Sequence, residues 1–293
     1  MQAIIYCFSG TGNTERVCGK YVEAFRARGV SCTVHQMSNF ADIPDPNAFD
    51  LVGFAYPIHA FNAPYLVYKF VRALPKANKK YFIVKTSGEP VKMNNASSLH
   101  LRAKLKKRGF TELTNEYHYV MPYNMIFRHT DVQAQKMWQT AQELVPIHVQ
   151  QILRGEKHLL KRPFLGGVAS WVLRIEHPAM KTNGKLFKVQ KNCVKCLKCV
   201  NNCPVHNISY SEDKGFRFGN KCVMCARCSF HCPTNAIKIG VLNGWRVNGA
   251  YNFEGEPDVT QQCKKPNYCK KAYRRYFAQA QAQIEQSQND NLQ

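Results

Sequence analysis

Through the first 155 residues, short runs of β-branched and aromatic residues alternate with longer stretches whose apolar positions recur at helical spacing. The runs AIIYCF, SCTVHQM, LVGFAYP, KYFIVKT and TNEYHYVMP read as strands. Helical patterns fall between them or after them, at Thr14 to Arg28, Pro64 to Leu74, Ser97 to Lys107 and Val132 to Arg154. Strand and helix in strict alternation predict parallel βαβ units, hence an α/β domain built on a doubly wound five-stranded parallel sheet over residues 1–155.

The alternation stops at residues 156–184, where Pro163, Gly166, Gly167, Pro178 and Gly184 interrupt any long element, and this stretch reads as an interdomain segment. Within it, Phe164 to Ile175 is apolar with basic residues at both ends. Two readings stay open there: a linker helix packed between domains, or peripheral contact of 161–188 with an anionic membrane surface. From 185 to 245 the pattern changes again. CVKCLKCVNNCPVHNI, starting at Cys193, aligns position for position with CVMCARCSFHCPTNAI, starting at Cys222, at an unbroken offset of 29. Residues 246–293 form a C-terminal extension whose Gln-rich end, AQAQAQIEQSQNDNLQ, reads as a fraying helix or as disorder.

Charge adds a partner class to this outline. The formal net charge of +22 is spread along the chain, with +9 in 1–155, +6 in 156–192, +5 in 193–245 and +2 in 246–293. Such a field favours an acidic protein or an anionic surface. No nucleic-acid-binding module accompanies it, so nucleic acid is not the expected partner. No apolar run reaches the roughly 18 to 20 residues of a membrane span. MQAIIYCFSG lacks a basic n-region and reads as a first strand, so a cytoplasmic location, with or without peripheral membrane contact, is expected.

In a reducing compartment, the 13 cysteines point to metal or redox chemistry before disulfides. Each repeat reads C-x2-C-x2-C-x3-C-P: Cys193, Cys196, Cys199 and Cys203, then Cys222, Cys225, Cys228 and Cys232. This is the bacterial ferredoxin spacing, in which the fourth cysteine serves the other cluster. Zinc also accepts four thiolates but usually takes separated C-x2-C pairs. The segment resembles the clostridial-type ferredoxins, which carry two 4Fe-4S clusters, at all eight ligand positions and at Pro204 and Pro233. The resemblance implies one cluster on Cys193, Cys196, Cys199 and Cys232, the other on Cys222, Cys225, Cys228 and Cys203, within a small α+β ferredoxin-type domain. The departure is charge: those ferredoxins are usually acidic, whereas residues 193–245 carry seven basic and two acidic side chains. Lys195, Lys198, Lys221 and Arg227 lie between the ligands, where positive charge favours a reduced cluster. Cys7, Cys18 and Cys32 read as buried thiols, Cys263 and Cys269 as free surface thiols, with a disulfide or a metal as the alternative.

The stretch FSGTGNTERV, Phe8 to Val17, follows the first strand and opens the first helix, where backbone N–H groups can cradle a phosphate. Ser9, Thr11 and Thr14 supply hydroxyls, Gly10 and Gly12 let the backbone approach closely, and Asn13 completes the loop. No Lys follows the last Gly, so this is not a Walker A loop. The stretch resembles the phosphate loop of flavodoxins, which bind FMN, with Ser9 in place of the commoner first Thr. That resemblance makes the predicted sheet flavodoxin-like and implies that two further loops border the flavin ring. One is Pro57, Ile58, His59, Ala60, Phe61 and Asn62, with His59 or Phe61 as the stacking candidate; the other is Thr86, Ser87 and Gly88.

The whole chain resembles a flavodoxin fused to a two-cluster ferredoxin, a fusion of anaerobic bacteria and archaea. The resemblance implies an electron-transfer protein in which FMN and the clusters relay electrons to an acidic redox protein such as a ferredoxin, a flavodoxin or a reductase. The alternative is an FMN-dependent oxidoreductase that reduces a small-molecule acceptor, the clusters feeding the flavin. No second dinucleotide fingerprint, catalytic triad or paired-carboxylate motif accompanies the loop.

Overall fold

The computed structural model describes residues 1–263 and 270–290. In chain order the elements are β1 (Gln2–Cys7), α1 (Asn13–Arg26), β2 (Ser31–Gln36), β3 (Leu51–Pro57), α2 (Tyr65–Ala73), β4 (Lys80–Ser87), α3 (Leu99–Lys107), β5 (Glu112–Val120), α4 (Asp131–Leu153), α5 (Phe164–Val172), α6 (Glu176–Lys185), β6 (Phe187–Val189), α7 (Lys198–Asn201), β7 (Ile208–Ser211), β8 (Gly215–Phe218), α8 (Arg227–Phe230), β9 (Ile237–Ile239) and α9 (Lys270–Asp290). They group into two compact units. One comprises Met1–Met121, Lys136–Leu173 and the described part of 267–293; the other comprises Pro122–Gln135 and the described part of 174–266.

In the first unit, five strands pair in the order β2-β1-β3-β4-β5, all parallel. That is the flavodoxin-like doubly wound order, whose switch point lies between β1 and β3. The central strands read as continuous apolar runs because both of their faces are covered: Ala3 to Phe8 and Val52 to Tyr56 are buried throughout. Gly53 is required by packing, since a Cβ there would lie 2.3 Å from the ring of Phe82 on β4.

One ion pair interrupts this apolar core. Lys85 Nζ lies 2.9 Å from Glu116 Oε1 with both side chains essentially inaccessible, and it also donates to the carbonyls of Asn94 and Asn95. Burial lowers the Lys85 pKa, and Glu116 opposes that shift. Removing either partner leaves an uncompensated charge, a loss of about 3–5 kcal/mol.

The Gln-rich C-terminal stretch is an ordered helix, α9, within the first unit. Its Tyr273 packs on Val120 and Met137, and the Tyr276 hydroxyl accepts from the Val120 amide at 3.2 Å. Tyr273, Tyr276, Phe277, Ala280 and Ile284 form one buried or half-buried stripe that anchors a helix whose other face is Gln-rich and polar. The last three residues and Cys269 lie outside the described residues.

The interdomain segment 156–184 is also largely helical, as α5, a 3-10 turn at Leu173–Ile175, and α6. α5 belongs to the first unit, whereas α6 belongs to the second, where Asn183 Nδ2 donates to the Ile239 carbonyl at 3.0 Å. Residues 122–135, read from sequence as part of the 1–155 domain, also group with the second unit. The reason is local bonding: Arg128 donates to the carbonyls of Asn248, Gly249 and Ala250, and the Tyr251 hydroxyl donates to the Tyr123 carbonyl at 2.6 Å. The second unit carries two small antiparallel sheets, β6-β9 and the β7-β8 hairpin.

Cys7, Cys18 and Cys32 are buried thiols, and burial pushes Cys32 up to about 12. Cys263 is a free thiol of intermediate exposure, its Sγ donating to the Arg128 carbonyl at 3.5 Å.

Three histidines are held neutral by the fold. Burial, and for His118 the nearby Lys85, depresses His118 to about 3; burial takes His129 to about 4 and His148 to about 3. The unfolded chain takes up these protons near pH 6.5 and the folded chain does not, so stability is present above pH 6.5 and declines as pH falls toward 3. Each histidine adds a slope of up to about 1.4 kcal/mol per pH unit in that window. Thermal melts across pH 8 to 4 are expected to be flat above pH 7 and steep below 6.5, with a shallower acid limb in His118→Gln; an unchanged limb would contradict this assignment.

Candidate functional site

The carboxyl ends of β1, β3 and β4 open on one edge of the sheet, and the three loops singled out in sequence follow those strands. Thr86 ties the loops together. Its hydroxyl lies 2.8 Å from that of Thr14, in the first turn of α1, and its carbonyl accepts from the Ile58 amide at 2.8 Å. A single residue thus connects the phosphate-type loop, the loop after β3 and the end of β4.

The loop Ser9–Thr14 has the form that anion binding requires. Ser9, Thr11 and Thr14 are buried, and the Ser9 hydroxyl accepts from the Gly12 amide at 3.1 Å. Gly12, the N-cap of α1, has φ +100°, a conformation open to glycine, and it brings no side chain to cap the helix. An anion there complements the positive end of a 14-residue helix. Arg16 on α1 lies 5.5 Å from the Trp138 ring centroid; both escaped the sequence reading, since Trp138 arrives from α4, far along the chain.

The loop after β3 is a tight turn. His59 and Asn62 exchange backbone hydrogen bonds of 2.9 and 2.7 Å, which throws Ala60 and Phe61 into the left-handed region. The Asn62 side chain is buried and bonded reciprocally to Ser170 on α5, each bond 2.9 Å. Pro57 ends β3. After β4, the Ser87 hydroxyl donates to the Glu89 carbonyl at 2.7 Å and lies 2.7 Å from His118 Nε2, while the Asn94 amide donates to both Ser87 and Glu89. The Gly88 carbonyl accepts from Tyr273 on α9. Asn94, His118, Ser170 and Tyr273 were invisible in sequence because none sits in a motif and each acts through a fold-level contact.

In the second unit, the two cysteine runs superpose in their backbone habit. Lys195, Leu197 and His206 adopt positive φ of 50°, 55° and 47°; Met224, Ala226 and Asn235, each 29 positions on, adopt 50°, 58° and 53°. The short helices α7 and α8 begin just after Leu197 and Ala226. Backbone amides point at sulfur in the same paired way: Lys195 to Cys193 at 3.4 Å and Met224 to Cys222 at 3.4 Å, Asn207 to Cys203 at 3.3 Å and Ala236 to Cys232 at 3.2 Å.

The eight cysteines line two cavities. Cys203 of the first run joins Cys222, Cys225 and Cys228 around one; Cys232 of the second run joins Cys193, Cys196 and Cys199 around the other, with Cys228 bordering both. Among the described residues, no three His, Cys, Asp or Glu side chains converge on a single-ion site. The thiols ring a volume, and their donor set is the all-thiolate set that iron–sulfur clusters take.

The two cavities differ in exposure. Cys196 is exposed, whereas Cys225 is buried, and burial raises Cys225 and Cys228 and takes Cys222 to about 12. The second wall is built by residues outside the motif. Gly184 on α6 leaves no room for a side chain, since a Cβ there would stand 2.2 Å from the Cys222 Cβ. Asn248 donates to the carbonyls of Ser229, Phe230 and Cys232, pinning the end of the second run.

Residues 192–237 match the 4Fe-4S dicluster domain. No curated protein matches the chain. Similar solved structures include a flavodoxin from the domain Archaea, at 14% identity over 52% of this chain and 99% of that one, with a TM-score of 0.36. A general stress protein 14 of Treponema denticola, in complex with FMN, is 13% identical over 54% of this chain and 100% of that one, TM-score 0.39. An NADH:FMN oxidoreductase in its apo form is 16% identical over 52% and 89%, TM-score 0.37. The fold assignment of the first unit stands on its strand order.

Gly184→Ala should push Cys222 off its position at a cost of about 1–3 kcal/mol, as overpacking does. Iron bound per chain should fall while the fold of the first unit is unchanged by circular dichroism; wild-type iron would contradict the contact. The chain joins a flavodoxin-like doubly wound sheet to a segment that matches the 4Fe-4S dicluster domain.

Proposed function

We propose that this protein is an electron carrier that holds FMN and two 4Fe-4S clusters and passes electrons to a separate redox protein. The observation that carries the reading is the exchange of fourth cysteines between the two cavities, Cys203 into one and Cys232 into the other. A single-cluster or zinc site has no use for that exchange, whereas a two-cluster site requires it.

When bound, FMN takes or gives two electrons in single steps and each cluster handles one. Ser9, Thr11 and Thr14, with the backbone of Gly10, Gly12 and Asn13, would hold the flavin phosphate at the N-terminus of α1. Pro57 to Asn62 and Thr86 to Gly88 would border the ring, and the Thr14–Thr86–Ile58 bonding would fix the two loops relative to the phosphate. Cys193, Cys196, Cys199 and Cys232 would ligate one cluster, Cys222, Cys225, Cys228 and Cys203 the other. The N–H groups aimed at Cys193, Cys203, Cys222 and Cys232 would stabilise thiolate charge. One chain carrying all three groups keeps them at high effective concentration.

The exposed Cys196, between exposed Lys195 and Lys198, marks the face where an acidic redox partner would dock and exchange electrons. A carrier needs such an exposed edge.

The test is Cys203→Ser in anaerobically purified protein, followed by reductive titration with EPR detection. The second cluster's signals should be lost or altered while the first cluster and the flavin absorbance persist, and Cys232→Ser should give the mirror result. Loss of only the first cluster in Cys203→Ser would contradict the crossed ligation. Saturable reduction of an organic acceptor without a protein partner would favour the oxidoreductase reading.

A further inference from the structure

α5 is built inside out for a helix in water. Its small residues face the protein: Gly166 packs on Pro163, Ala96 and the Met93 carbonyl, and the buried Ser170 bonds to Asn62. Its large residues face outward, with Phe164 86%, Leu165 70%, Val168 47%, Trp171 68% and Val172 53% exposed. An amphipathic helix of a water-exposed surface does the reverse, and an apolar patch of this kind marks an interaction face. The face is also fixed in direction, because the Asn62–Ser170 pair and the close approach at Gly166 leave no freedom to rotate it inward.

We propose that α5 docks this protein on an anionic lipid surface. Charge selects that occupant. Lys161 and Arg162 immediately precede the helix and are exposed, Arg174 is the next charged residue after it, and no acidic residue lies between Lys157, itself paired with Glu112, and the buried Glu176. Apolar side chains with a tryptophan, with Lys161, Arg162 and Arg174 as the nearest charges, match a bilayer interface carrying acidic headgroups. At 9 residues, α5 rises about 14 Å, under half of the hydrocarbon thickness. Among the described residues no helix is long and apolar enough to cross a membrane. The helix therefore lies on the surface. This inference stands apart from the cofactor assignment.

The test is flotation of the full-length chain with vesicles of phosphatidylcholine alone and of phosphatidylcholine containing a third phosphatidylglycerol. Binding to the mixed vesicles is expected, with at least tenfold weaker binding to the neutral ones. The exposed pair Leu165→Glu/Trp171→Glu should abolish it while circular dichroism stays native. Lys161→Gln/Arg162→Gln should cut the preference for anionic vesicles on the order of tenfold, whereas Lys106→Gln/Lys107→Gln, another exposed basic pair, should not. Absence of vesicle binding, or binding untouched by Leu165→Glu/Trp171→Glu, overturns the proposal. So does a concentration-dependent dimer in sedimentation velocity that the same pair dissolves, since the face would then serve a second copy.

Discussion

Each cysteine run can aim its sulfurs at a shared volume only by bending the backbone where side-chain-bearing residues resist bending. Lys195, Leu197 and His206, and their counterparts Met224, Ala226 and Asn235, all sit in the left-handed region. Each costs roughly 1 kcal/mol or more, and such strain persists where surrounding structure over-determines it. Here the turns deliver amide groups to sulfur in the same places in both runs, and they send the fourth cysteine of each run to the opposite cavity. The rest of the second unit serves that geometry. Gly184 makes room for Cys222, Asn248 ties down the second run, and Arg128 clamps the loop that carries Asn248.

The first unit solves a different problem with fewer strained residues. A parallel sheet leaves its carboxyl ends open at the switch point, and three loops must agree on one site there. Thr86 secures that agreement with two hydrogen bonds, and the buried Lys85–Glu116 pair stands directly behind it. A buried ion pair contributes little net stability, yet it holds β4 and β5 in one register at the residue before Thr86. The outer helices then brace the loops from both sides, α5 through Ser170 on Asn62 and α9 through Tyr273 on Gly88.

Much of this was legible in the sequence, for identifiable reasons. The central parallel strands, buried on both faces, leave unbroken apolar runs, and the edge strands β2 and β5 stand out by their β-branched and aromatic residues, so all five could be read; the 29-residue repeat fixes the cysteine runs without any structure. What could not be read depends on the fold. Ser170 and Tyr273 act on loops more than a hundred residues away. Four of the six left-handed turns in the cysteine runs fall on Lys195, Leu197, Met224 and Ala226, which carry no turn signal. Residues 122–135 look like the tail of the first domain until Arg128 and Tyr123 are seen bonding to 248–251. The stretch 164–172 was ambiguous for a related reason: an apolar run announces a buried surface, and only the structure shows that Gly166 and Ser170 face the protein while the large side chains do not.

The central claim is that a single chain holds one flavin and two four-iron clusters. Its most direct measurement is the FMN, iron and acid-labile sulfide content of anaerobically purified protein. The account predicts about one FMN, eight irons and eight sulfides per chain. About four irons, or zinc in place of iron, would contradict the two-cluster assignment, and protein without FMN would contradict the assignment of the loop at the start of α1.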